Sequence, residues 1–200
     1  MEEIPQVPQL GDALPLVPTG ARWLAIALAD LDAVHADHLH CERKAAQSAL
    51  SLIRSYPEHA ELVLQMARLA HDETRHVVQV AQLMQREGVP ASFDHGDDYA
   101  AALRALIRPR EPERLLDRLL VFAVIEGRSA ERLGLLAGAL PDAKTAALYA
   151  SLAEAEVRHR DVFLALARDA YPQAWRARAA ELAVREAEVM AARTIVARIH

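Results

Sequence analysis

The sequence is poor in nearly everything that builds sheets, disulfides or membrane spans. One cysteine, Cys41, excludes an intramolecular disulfide framework and any cysteine-rich zinc or rubredoxin-type site. β-Branched residues are sparse, aromatic residues make up 4% of the chain, and no stretch alternates polar and apolar positions for long, which removes the usual basis for strands. No apolar run approaches about 18 residues free of charge, and the beginning of the chain is acidic and proline-rich rather than basic and then apolar. Neither a membrane span nor a secretory signal is therefore expected, and a cytoplasmic location with no membrane contact follows. Lysine is nearly absent, two against 21 arginines. Arginine suits bidentate phosphate contacts, although a GC-rich genome gives the same bias. The formal charge of -5 argues mildly against a polyanionic partner.

What remains is alanine, leucine, glutamate and arginine, with 52% hydrophobic residues over 200 positions, enough to bury a sizeable core. The expected fold is all-α and a single domain. Residues 1–20 form an extended, proline-rich arm. The first long helix runs from about Arg22 to the stop at Tyr56-Pro57, and the second from about Pro57 to Gly88-Val89-Pro90. Residues 91–112 are a long irregular connection with room for a short helix over Tyr99 to Ile107. A third helix spans about Glu113 to Leu140, and a fourth runs from the Pro141-Asp142 turn to about Ala170. An additional helix over 173–199 packs outside this four-helix bundle.

Two Glu-x-x-His motifs, Glu73/His76 and Glu156/His159, lie on apolar helix faces where core residues belong. With 16 glutamates and nine histidines, chance alone supplies about 0.7 such motifs, so the pair is weak evidence by itself. Its context is stronger. Glu42 precedes Glu73 by 31 residues and Glu126 precedes Glu156 by 30, each on the apolar face of the preceding helix. Two hairpins of this kind carry the ligand set of ferritin-like di-iron and di-manganese bundles, one glutamate from each of two helices and Glu-x-x-His from each of the others. Four buried carboxylates and two imidazoles need a compensating charge, which two divalent ions supply. Oxygen-rich ligation suits iron or manganese better than zinc. Glu42, Glu73, His76, Glu126, Glu156 and His159 are thus the candidate metal and catalytic residues, with Glu42 and Glu126 expected to bridge.

Around them, Asp72 is either an imidazole partner or half of a solvent-facing ion pair, with Arg75 and Arg158 as further candidates beside the ligands. Arg128, Ser129 and Glu131 either support the site or face solvent. His35 reads as a hydrogen-bonded core histidine, Cys41 as simply packed, and His38, His40 and His200 have no partner legible in the sequence. Arg110, Arg114 and Arg118 recur at helical spacing after the connection and make a candidate phosphate-binding stripe, with a solvated helix face as the plain alternative.

Several segments together resemble a known family, the tRNA 2-methylthio-N6-isopentenyladenosine hydroxylases (MiaE). They are His40-Cys41-Glu42-Arg43-Lys44-Ala45-Ala46 with Ser48 to Ile53, Leu69 to His76, Ile125-Glu126-Gly127-Arg128-Ser129-Ala130-Glu131-Arg132, Glu154 to His159, and Arg185-Glu186-Ala187-Glu188. Asp72, in place of an expected glutamate, and Gly127, in place of an expected alanine, depart from the pattern without touching a ligand. The resemblance implies a di-iron, O2-dependent monooxygenase that hydroxylates the isopentenyl group of a modified adenosine next to the tRNA anticodon, with the six residues above holding two iron ions. It also implies tRNA as partner and a reductase or ferredoxin-type electron donor, since the chain has no flavin, haem or iron-sulfur signature. A monomer or homodimer is expected. Leu31, Phe122 and Phe163 either enclose the prenyl group or pack the core. Rivals that share the ligand repeat are a quinone-type hydroxylase, a manganese catalase, and a non-enzymatic iron-binding or ferroxidase bundle.

Overall fold

The fold is set by where the apolar stripes are interrupted. In a computed structural model, which describes residues 10–200, the interruptions divide the chain into seven α-helices, with no strand among the described residues. They are α1 (Ala21–Ala29), α2 (Leu31–Ser55), α3 (Ala60–Glu87), α4 (Asp98–Arg104), α5 (Glu113–Ala139), α6 (Ala143–Ala170) and α7 (Trp175–Ala191). Of the expected N-terminal arm, residues 1–9 lie outside the described residues, Leu10–Ala13 form a 3-10 turn, and residues 14–20 have no regular structure.

The expected first helix is two. Asp30 leaves helical geometry at φ -145°, ψ 70°, and its carboxylate accepts a hydrogen bond from the Ala33 N–H at 3.1 Å. Aspartate is a good N-cap, so a residue in the middle of an apolar pattern ends one helix and begins the next. Gly88 closes α3 as foreseen, with φ 72° and the Val89 N–H bonded to the Met84 carbonyl at 2.9 Å. A residue with a Cβ would be strained at that φ. Asp97 and Asp142 cap α4 and α6 through the Ala100 and Thr145 N–H groups.

The last helix stops at Ala191, eight residues short of the expected end. Thr194, Ile195 and Val196 form a β-branched run with poor helix propensity. Other parts of the chain hold the backbone beyond it. The Trp23 indole donates to the Arg198 carbonyl at 3.0 Å, the Arg132 guanidinium to the Ile199 carbonyl at 2.8 Å, and the Ile199 N–H to Asp37 at 2.8 Å.

Helices α2 and α3 pack as one hairpin and α5 and α6 as another, with α3 against α6 and α7 across α5. Two apolar clusters result. One gathers Leu52, Tyr56, Met66, Leu119 and Phe163, and the other Trp23, Val80, Leu83, Leu133 and Tyr149. The polar faces of the two hairpins meet between them.

Candidate metal centre and its pocket

All six candidate ligands point into that gap and none is more than 5% exposed, with Glu73 fully buried. They come from four helices, Glu42 from α2, Glu73 and His76 from α3, Glu126 from α5, and Glu156 and His159 from α6. Each helix delivers its groups by the 3–4 residue spacing that otherwise brings leucine inward. Their ligand atoms fall into two groups, each within 4.8 Å. One joins Glu42, Glu73, His76 and Glu156, and the other Glu73, Glu126, Glu156 and His159. Glu73 and Glu156 are common to both. This corrects the expectation that Glu42 and Glu126 bridge: the shared carboxylates are those of the Glu-x-x-His motifs, which face each other across the bundle.

The histidines turn Nδ1 inward. His76 Nδ1 lies 3.2 Å from Glu42 and 3.5 Å from Glu73, and His159 Nδ1 lies 2.8 Å from Glu73 Oε1. That last approach is close in distance but not aligned, and both His159 Nδ1 and Glu73 Oε1 lack a hydrogen-bond partner. Glu73 Oε2 and Glu156 Oε1 are also buried without one. Buried polar atoms are nearly always hydrogen-bonded, so four orphaned atoms aimed at one volume indicate an ion-binding site. The donor set therefore fits a pair of divalent metal ions.

Electrostatics agree. Burial, and then the charge of Glu156, pushes Glu73 well above the usual carboxylate range; burial and Glu156 do the same to Glu126. Burial, and then Glu42, raises Glu156 to about 8. Glu42 goes the other way. Burial opposes its charge too, but the charge and hydrogen bond of His38, with a hydrogen bond from His76, outweigh it. His38 Nε2 lies 2.5 Å from Glu42 Oε1. The sequence reading missed this partner, although His38 stands one helical turn before Glu42 on the same face. His35 is a hydrogen-bonded core histidine, with Nδ1 2.7 Å from the Tyr149 hydroxyl.

The other candidates separate. Asp72 stands 3.9 Å from His159 Nε2, on the side away from the ligands, and 3.2 Å from Arg75, with both side chains well exposed. Arg158 is exposed. Arg128 is neither beside the ligands nor at the surface. It is 1% exposed, bonds both carboxylate oxygens of Glu186 on α7 at 2.9 Å, and reaches Glu131, Thr19 and the Val17 carbonyl. The arginine stripe is broken. Arg110 and Arg114 are exposed, whereas Arg118 is buried, with its guanidinium over the Tyr56 ring and 3.3 Å from the Ser51 hydroxyl. With its guanidinium against Tyr56, Arg118 does not share the exposed surface of the other two.

A pocket opens onto four of the ligands. Glu42, Glu73, Glu126 and Glu156 form its floor, Phe122, Ile125 and Phe163 its apolar walls, and Lys44, Asp97, Arg104, Ser129 and His200 complete its lining. Leu31 is not part of it and packs with the other apolar cluster. The cavity is small, about 40 Å³, room for two or three waters.

Comparisons with known proteins follow this geometry. Residues 9–200 match the family described as tRNA-(MS[2]IO[6]A)-hydroxylase (MiaE). A tRNA 2-(methylsulfanyl)-N(6)-isopentenyladenosine(37) hydroxylase from Pseudomonas putida is 42% identical over 94% of this chain and 89% of its own length. The protein of the same name from Salmonella typhimurium is 30% identical over 75% of this chain and 73% of its own. A solved structure titled as a protein with aldehyde deformylating oxygenase activity, from Synechococcus, superposes with a TM-score of 0.87 at 34% identity and covers 94% of this chain and 95% of that one. The bundle is ferritin-like, and the chain belongs to the MiaE family of tRNA hydroxylases.

Proposed function

We propose that this protein hydroxylates the isopentenyl group of 2-methylthio-N6-isopentenyladenosine in tRNA, next to the anticodon, using a pair of iron ions held by Glu42, Glu73, His76, Glu126, Glu156 and His159. The observation that carries the reading is the pocket, one cavity lined by four carboxylates, aromatic rings and the cations Lys44 and Arg104. Bound iron would supply what no side chain can, activation of O2 with two electrons from an outside donor of the reductase or ferredoxin type.

The chain's own residues do the rest. Phe122 and Phe163, with ring centroids 5.5 Å apart, present an apolar surface suited to a five-carbon group and keep bulk water off the floor. The present cavity is too small for that group, so the walls open as it enters. Lys44 Nζ is buried without a hydrogen bond, 3.6 Å from Asp97 and 3.8 Å from Asp94, and Arg104 is exposed beside it. Both suit a phosphate or polar base edge of an RNA whose modified base points inward. Arg110 and Arg114 extend the cationic surface, and a tRNA substrate makes the cytoplasm the working location. His38 holds Glu42 ionised, and His76 and His159 would offer their Nδ1 atoms to the ions.

Nucleoside mass spectrometry of tRNA from cells with and without the protein tests the reading. The expected result is one added oxygen on the isopentenylated adenosine only when the protein is present; its absence overturns the reading. The likeness to the Synechococcus structure favours one second reading, oxygen-dependent loss of formate from an aldehyde. Formate release from an aldehyde by the iron-loaded protein, without nucleoside oxidation, would select it.

A further inference from the structure

Monooxygenation consumes two protons as well as two electrons, R–H + O2 + 2e⁻ + 2H⁺ giving R–OH + H2O, and here it would occur on a floor whose carboxylates are at most 5% exposed. Resting on the reaction proposed above, we propose that Asp97, His200 and Ser129 form the proton path into the pocket, with Ser129 as the last donor.

Three observations place the path. The first is continuity. His200 Nε2 lies 2.8 Å from the Ser129 hydroxyl and His200 Nδ1 lies 3.2 Å from Asp97 Oδ2. The His200 ring stacks on Tyr99, centroids 5.3 Å apart and 22° between planes, which fixes its orientation. The second is position. Asp97 and His200 line the inner pocket and also a larger groove of about 500 Å³ bounded by His95, Asp98, Arg193 and Arg198. The side chains are only 6% and 4% exposed, so they form the partition between the two spaces. The third is aim. Ser129 follows Glu126 by three residues on α5 and shares its face, so its hydroxyl opens beside the floor.

The chemistry needs no other bond change. The imidazolium keeps its Nδ1–H on Asp97 throughout, and Nε2 donates its proton to Ser129 Oγ while Ser129 passes its own hydrogen to a water in the pocket. The neutral ring, still protonated at Nδ1, is recharged at Nε2 by a water from the groove when the Ser129 hydroxyl turns away, so each cycle moves one proton inward. The charges facing His200 are consistent with this role. Asp97 is adjacent with Lys44 3.6 Å from it, the Cys41 thiol lies 3.6 Å from Nδ1, and Asp37 and Arg132 bond the backbone of the preceding residue, Ile199. Burial opposes ionisation of Asp97, but the hydrogen bond and charge of His200, the Ala100 N–H and Lys44 outweigh it and hold the carboxyl well below its usual range. Asp97 is thus a fixed acceptor that holds Nδ1–H and leaves Nε2 for Ser129.

The test compares the iron-loaded full chain with its S129A, S129T and H200Q variants, supplied with reductant, O2 and isopentenylated tRNA. S129A and H200Q are expected to retain bound iron, turn over roughly tenfold more slowly or worse, change the solvent deuterium isotope effect, and release more oxygen as hydrogen peroxide. S129T, which keeps the hydroxyl, is expected to recover the wild-type ratio of product to peroxide. A second readout uses no turnover: 15N NMR of the metal-free protein is expected to show an oriented His200 ring whose Nε2 signal moves in S129A. Unchanged turnover, coupling and isotope effect in S129A and H200Q, or a His200 ring indifferent to loss of Ser129, would overturn the path. If the wild type oxidises no nucleoside, the proposed function falls instead, and reductant-driven O2 uptake in the same variants still decides the path.

Discussion

Glu73 and Glu156 differ from Glu42 and Glu126 in belonging to both groups of ligand atoms, and this distinction can be measured. Glu73→Ala removes a ligand from both sites and is expected to take bound metal from two ions per chain toward none. Glu42→Ala removes one from a single site and should leave roughly one ion. Metal analysis after reconstitution checks both, and equal losses would remove the distinction. His35 carries a different prediction. Burial, and then the charge of His38, lowers it from 6.5 to about 4. The unfolded chain therefore binds more protons between these values, so its contribution is complete above pH 6.5 and is lost as pH falls toward 4, about 3 kcal/mol at most. Urea unfolding from pH 4 to 7 should show a shallower acid decline in His35→Gln than in wild type. At this scale the sequence showed the six candidate ligands that the fold brings together, because a carboxylate on an apolar stripe stands out against leucine. It hid His38, whose partner is a ligand one turn away, and His200, whose partners lie 71 and 103 residues distant.

The helices were legible wherever a proline or glycine punctuates them, as at Tyr56-Pro57, Gly88 and Pro141. They were misread where a side chain does the work. Asp30 breaks a helix by capping the next, and the end of α7 is fixed by distant groups that capture its carbonyls and amides. Arg128 shows the same limit. Its motif drew notice beside Glu126, but the guanidinium turns outward from the metal centre to fasten α5 to α7 through Glu186, which is itself fully buried and also accepts from the Tyr99 hydroxyl at 3.0 Å. Removing one partner leaves a buried charge unpaired. Arg128→Met is therefore expected to cost about 3–5 kcal/mol, and adding Glu186→Leu should return part of that loss, as thermal unfolding of the two variants would show. Strictly additive losses would mean that the pair does not couple the helices.

For the whole molecule, the metal centre sets how stability depends on pH. Without metal, Glu73, Glu126 and Glu156 hold protons that the unfolded chain would release, so the folded state binds more protons than the unfolded state. Stability is then fully present below about pH 4.5 for these groups and lost as pH rises toward about 8, the folded value of Glu156. Metal bound at the proposed centre would replace those protons. Loading should therefore release protons, raise Tm, and flatten the fall in Tm between pH 5 and 8 that the stripped protein shows, all measurable by calorimetry on stripped and reloaded samples. The same architecture bears on electron supply. On α2, α3 and α6 the ligands sit on the inward face of a helix whose outer face is the surface of the bundle, so one helix thickness, about 10 Å, separates the centre from solvent there, whereas α5 lies under α7. Tunnelling across so thin a wall needs no redox group within the chain, and the donor has only to rest against the outside of one hairpin.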